Sequence, residues 1–253
     1  MAMEKRKGMK VVISGFSGVG KGTVISRLME RYPGEFYFSV SATTRDPRPG
    51  EVHGREYYFL SDEEFRKLID TDGLMEYARY QDHYYGTPAN PVLREQQDGR
   101  NVILDIEVEG AFQVKEKYPD TLLLYLVPPD AATLKRRLTG RKTETAEQIR
   151  GRLRRAAEEA EIASRYEALL INDKLEDCVE QLHACITDPT LVADTYAANL
   201  PLVRKLAGEL KEMSEKTDIP EATDMPGEIE MTDMPKETGA PEGTGVLGET
   251  EGE

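Results

Sequence analysis

The chain is 253 residues long, enough for one large domain or two small ones with a sizeable core. Its formal charge of −14 is unevenly spread: residues 209–253 hold 14 acidic and 3 basic residues, a net of −11, which leaves −3 for residues 1–208. A nearly neutral body with an acidic end is not built to coat itself with nucleic acid, and no apolar run is long enough to span a membrane. The start MAMEKRKGMK is basic but lacks an apolar signal core, so the expected location is the cytoplasm.

The first element is the apolar run Val11-Val12-Ile13, which feeds GFSGVGKGT: Gly15, Phe16, Ser17, Gly18, Val19, Gly20, Lys21, Gly22 and Thr23. This fits the phosphate-loop pattern G-x-x-x-x-G-K-[ST] at every place but the last, where Gly22 stands and the hydroxyl slips to Thr23. The glycines let the backbone curl with its N–H groups toward phosphate oxygens, and Lys21 adds a point charge for the β and γ phosphates of a nucleotide. Val24, Ile25, Leu28 and Met29 recur at helical spacing, so the loop is expected to end on a helix N-terminus, whose dipole favours anions. A Mg²⁺ ion normally takes the loop hydroxyl. Gly22 has none, so either Thr23 reaches the metal or water and another side chain substitute.

Further apolar runs follow at 36–40, 101–107, 121–127 and 168–172, with helical patterns between most of them. That alternation predicts an α/β fold of the phosphate-loop NTPase type, a three-layer parallel sheet with helices on both faces. Residues 41–88, rich in Tyr, Gly and Arg, interrupt it and read as a small strand-rich subdomain. Residues 131–157 form a second, helical and arginine-rich interruption. There Thr145 to Gln148 resembles a capping box, which predicts a helix from near Ala146 with Arg150, Arg152, Arg154 and Arg155 in its early turns. Helix dipoles favour acids at that end, and Glu158, Glu159 and Glu161 come later instead, so a functional reason is invited. With Arg137 and Arg141 upstream, an anion-clamping lid is that reason; for Arg154 and Arg155 an ordinary solvated face serves equally well.

Cys178 and Cys185 are seven apart in a helical pattern and share a face, the signature of buried reduced thiols; with His183 they lack the fourth ligand and tight spacing of a metal site. Beyond residue 208 the chain is acidic, nearly free of aromatics, and loosely repeats Thr-Asp-x-Pro at 217–220, 223–226 and 232–235. Such a segment is expected to be a disordered, solvated and dispensable tail.

Six blocks, GFSGVGKGT, FSVSATTRDPRPGEVHGREYYF, GLMEYARYQDHYYGTP, ILDIEVEGA, RRLTGRKTET and INDKL, together resemble the guanylate kinase family, bacterial type, over about residues 9–187. The resemblance implies a kinase domain at 1–208 with a core (9–40, 89–130 and 158–208), a GMP-binding insertion (41–88) and a lid (131–157), followed by the tail at 209–253. It implies ATP as phosphoryl donor, Mg²⁺, GMP or dGMP as acceptor, and a place in purine nucleotide metabolism. Arg45, Arg48, Tyr57 and Tyr85 match the set that holds the GMP phosphate, and guanidinium forks with phenolic donors suit a dianion. Glu76 matches the carboxylate that accepts the two adjacent donors of guanine. Ser41, Glu51, Thr87, Asp105 and Glu107 match the rest of the acceptor site. Arg137 and Asn172 match the ATP side, and Lys21, Arg48, Arg141 and Arg152 the groups that compensate charge during transfer. An anionic acceptor needs no general base, so His53, His83 and His183 are expected to be surface or structural residues. Scaffold domains of similar sequence that bind peptides without catalysis are degraded in the phosphate loop, whereas Lys21 and the lid arginines are present here. A homo-oligomer and a partner for the tail are left open.

Overall fold

The computed structural model describes residues 7–139 and 146–215. Contacts divide the chain into two compact units. The described residues of the first are 7–12 and 32–122; those of the second are 13–31, 123–139 and 146–215.

In the first unit, the start of β1 (Lys10–Gly15) and β2 (Phe36–Phe38) each pair in parallel with β7 (Asn101–Leu104), with Lys10 opposite Val102 and Phe36 opposite Asn101. A second sheet contains β3 (Ala42–Thr43), β4 (Tyr58–Phe59), β5 (Leu74–Tyr80) and β6 (His83–Pro88) in the order β4-β3-β6-β5. The β5–β6 hairpin turns through Gln81 and Asp82, both at positive φ, as a two-residue turn matched to strand twist demands. Helix α2 (Asp62–Asp70) starts on a complete capping box, in which Ser61 and Glu64 exchange side-chain and backbone bonds. Its Phe65 packs with Ala42, Tyr58 and Leu74 into a small core and stacks on Tyr84. Helices α3 (Ala89–Gln97) and α4 (Val108–Lys117) pack on β7 and β5, respectively.

In the second unit, the end of β1 leads through residues 16–20 into α1 (Lys21–Arg31), which buries Val24, Ile25 and Leu28. Every residue of β8 (Leu122–Val127) is buried, as a strand covered on both faces requires, and it pairs in parallel with β9 (Ala168–Ile171). The main sheet therefore runs β2-β7-β1-β8-β9. Helices α5 (Ala131–Thr139), α6 (Ala146–Ala163), α7 (Leu175–Thr187) and α8 (Thr190–Glu215) complete the unit. Cys178 and Cys185 are buried on one face of α7 with free thiols, and burial pushes the Cys178 thiol up to about 12. No described helix is long and apolar enough to cross a membrane.

Two expected borders fall inside continuous helices. The lid–core border at 157/158 lies within α6. The first residues of the expected tail, 209–215, belong to α8, which runs to Glu215 with Leu206, Leu210 and Ser214 buried. Apolar residues 203, 206 and 210 lie at helical spacing, and their burial holds Glu209 between them in an ordered turn. Residues 216–253, like Thr145 of the capping box, lie outside the described residues.

Candidate active site

The phosphate loop is held from outside by side chains distant in sequence. Gly18 and Gly20 take φ of +80° and +93°, a region that strains any residue with a Cβ, and Val19 between them is buried. The carbonyl of Val19 accepts from Asn172 Nδ2 at 2.7 Å and from Arg137 Nη1 at 3.1 Å, while Arg137 Nη2 donates to Asn172 O at 3.2 Å. Arg137 and Asn172, expected beside ATP, thus brace the loop backbone. Ser17 is gripped from α6: its Oγ accepts from Arg152 Nη2 at 3.3 Å, and its N–H donates to Glu159 Oε2 at 3.3 Å. Arg152 Nη1 also donates to Leu138 O. Lys21 is the first residue of α1, with Gly22 and Thr23 exposed after it. Arg154 and Arg155 are exposed, and Arg141 lies outside the described residues.

The first unit holds the other candidate residues. Arg45 makes a two-pronged pair with Glu51, Nη1 to Oε2 at 2.9 Å and Nη2 to Oε1 at 3.0 Å, and the backbone N–H of Arg48 donates to the same carboxylate at 2.7 Å. Arg45 holds the Glu51 carboxyl below its usual range, with the Arg48 N–H adding to this, and Glu51 raises the Arg45 guanidinium in return. The Arg45 guanidinium lies 5.5 Å from the centre of the Tyr57 ring and 5.6 Å from that of Phe59, and the Tyr57 and Tyr85 rings meet edge to face at 6.2 Å. Burial raises the Tyr57 phenol and the neighbouring Tyr85 pushes it the same way, against the opposing Arg45, so it stays a protonated donor. Arg48 is exposed, Asp105 half-buried, and Glu107 exposed as the N-cap of α4.

Glu76, 7% exposed, occupies a different setting. Burial raises its carboxyl above the usual range; the hydroxyl and then the backbone N–H of Thr87 oppose that shift. Thr87 Oγ1 donates to Glu76 Oε1 at 2.6 Å. Tyr85 and Thr87 alternate along β6 and so face the same side of the sheet. Ser41, half-buried, accepts from Tyr58 N through its carbonyl.

The guanylate kinase family model matches residues 7–189. The chain belongs to the guanylate kinase family. It is 46% identical over 175 residues to the guanylate kinase of Trichodesmium erythraeum, covering 69% of this chain and 94% of that one. It is 42% identical over 207 residues to that of Latilactobacillus sakei, covering 80% and 98%. The crystal structure of guanylate kinase from Anaplasma phagocytophilum matches with a TM-score of 0.58 at 25% identity, over 81% of this chain and 97% of the other. The family match ends one residue before α8 begins.

Three features of the site were not read from the sequence. Glu51 is a clamp on Arg45, a role for which a carboxylate near an anion site is itself a hint. Gly110 stands behind Glu76: a Cβ there would lie 2.7 Å from Oε2. Its signal is a poor helix former in the first turn of α4. Glu159 stands seven residues from Arg152, and that spacing, which puts both on one helix face, is the signal that links them.

Proposed function

We infer that the chain transfers the γ phosphoryl of ATP to GMP, giving ADP and GDP, with dGMP as a second acceptor. The observation that carries this reading is the buried Glu76–Thr87 pair on the same sheet face as the Arg45–Tyr57–Tyr85 cluster. An ionised carboxylate accepts the paired ring and amine N–H groups of guanine. Adenine lacks that donor pair and would leave the carboxylate unmatched, a difference worth up to about 10⁴-fold. Arg45, Arg48, Tyr57 and Tyr85 bind the acceptor phosphate, with Glu51 fixing the Arg45 fork. The reading assigns the enzyme to the cytoplasm, within purine nucleotide metabolism.

Phosphoryl transfer needs in-line placement and compensation of charge on the equatorial oxygens rather than covalent help. In this reading Lys21, Arg48, Arg141 and Arg152 supply that charge, and no general base takes part. Mg²⁺ keeps several waters and binds through substrate phosphates, so it does not need a cage of carboxylates. Among the described residues no group of three or more His, Cys, Asp or Glu is placed to hold a metal. Gly22 has open space where a side chain would stand, and the exposed Thr23 hydroxyl follows it in the first turn of α1. These residues fit an ion carried mainly by ATP and water, with Thr23 as the one protein ligand. When bound, the ion neutralises β and γ phosphate charge.

A coupled assay offering ATP with GMP, dGMP, AMP, CMP or UMP tests the reading. Turnover with GMP and dGMP is expected. Turnover confined to another acceptor would overturn the base recognition, and none with any acceptor would favour a non-catalytic binding domain.

A further inference from the structure

Resting on the kinase reading, we propose that Glu159 is a positioning residue: by accepting the Ser17 backbone N–H, it docks α6 on the phosphate loop and so holds Arg152 at the phosphoryl group in transfer. Both contacts of α6 fall on one loop residue, Glu159 Oε2 on Ser17 N and Arg152 Nη2 on Ser17 Oγ, each at 3.3 Å. Residues seven apart on an α-helix differ by only about 20° around its axis. The two side chains therefore project together from one face of α6, and Ser17 receives an anion at its N–H and a cation at its hydroxyl.

A carboxylate beside a triphosphate is repelled by it, a cost that the Arg152 guanidinium held on the same loop residue offsets in part. The place of Glu159 follows from what it does for the backbone. The N–H of Ser17 precedes the two left-handed glycines, and a fixed acceptor there sets where the turn begins. The helix carrying that acceptor is long and braced: α8 packs along α6, and Tyr196 Oη donates to Ser164 O at 2.9 Å, just past the end of α6. A braced helix moves as one body, so the Glu159 contact fixes Arg152 two turns away. A third contact, Arg152 Nη1 to Leu138 O at 3.3 Å, aims the guanidinium.

The test compares wild type with Glu159→Ala, Glu159→Gln and Glu159→Asp in steady-state turnover of GMP with ATP. A glutamine carbonyl still accepts the N–H, whereas aspartate keeps the charge but is one methylene short. We expect kcat to fall about 10-fold or more in Glu159→Ala and Glu159→Asp, to stay within about threefold of wild type in Glu159→Gln, and KM for GMP to change less than about twofold throughout. Thermal unfolding of each variant accompanies the kinetics; should Glu159→Ala not fold, the contrast between Gln and Asp decides. Overturning results are Ala or Asp variants within twofold of wild-type kcat, or Gln impaired as much as Asp, which would make charge rather than the hydrogen bond the working feature. Tighter ATP binding with unchanged kcat in Glu159→Ala would also overturn it, showing a mere placeholder for phosphate. A wild-type protein inactive on GMP would instead sink the kinase reading, before any variant is compared.

Discussion

Replacing Glu76, the proposed guanine reader, with glutamine separates its charge from its shape. The amide fits the same space, and its carbonyl oxygen can still accept the Thr87 hydroxyl that donates to Oε1 at 2.6 Å. The other terminal atom becomes an NH₂ facing a guanine donor, so one charge-assisted bond is replaced by an opposed pair. A hydrogen bond to a charged group contributes about 1.5–3 kcal/mol, and the unmatched donor adds to the loss. A total of about 3 kcal/mol corresponds to a roughly 10²-fold fall in kcat/KM for GMP, with KM for ATP unchanged. The pH profile gives a second readout. Burial raises the Glu76 carboxyl above the ordinary glutamate range. Wild-type kcat/KM for GMP should therefore decline on acidification from a higher pH than an ordinary glutamate would produce, and the glutamine variant should lack that limb. Stability moves the opposite way. With the folded-state value raised, the folded protein keeps its proton where the unfolded chain has lost it, so this group's contribution is most favourable at low pH and declines as pH rises from the ordinary glutamate range through the folded value. At pH 7 the wild type carries that burial cost and Glu76→Gln does not, so the variant should unfold at higher urea. Steady-state kinetics and urea denaturation at pH 5 and 7 check both. Wild-type kcat/KM for GMP in the variant would refute the recognition argument, and a less stable variant at pH 7 would refute the claim that burial dominates this carboxyl.

Gly110→Ala puts a Cβ 2.7 Å from Glu76 Oε2 and 3.1 Å from its Cδ, displacing a carboxylate that burial and Thr87 hold in place. KM for GMP should rise about tenfold or more, and an unchanged KM would show that Glu76 has room to yield. Lys21→Ala should lower kcat by about 10²–10³-fold while GMP affinity, measured by calorimetry, stays within twofold; a matching loss of GMP affinity would refute the separation of donor and acceptor residues. Leu210→Ala should cost about 2–4 kcal/mol in urea unfolding, because Leu210 is fully buried in α8. A chain ending at Glu215 should retain full activity. A loss below about 0.5 kcal/mol for Leu210→Ala would show that the last turns of α8 contribute little to stability.

Much of the proposed donor site is a local property of the chain. An apolar run, a glycine-rich turn and a helical pattern follow one another from Val11 to Met29, and each arises from backbone freedom or periodic burial within a few residues, so sequence spacing alone specifies strand, loop and helix. The same holds for the buried strand at 122–127 and for the two buried, free cysteines of α7. Order at residues 209–215 is not legible in composition, which averages over a window, whereas burial of Leu210 depends on which surface lies opposite it.

What tertiary structure decided is which polar atoms meet. Ser17 meets Glu159 across 142 positions, Val19 meets Arg137 across 118 and Asn172 across 153, and Gly110 makes room for Glu76 from another element. A hydrogen bond acts over about 3 Å whatever the chain length between its partners, so such pairings leave no periodic trace in the sequence. They exist only once sheet order and helix packing have brought hydrogen-bond donor and acceptor to the same point in space.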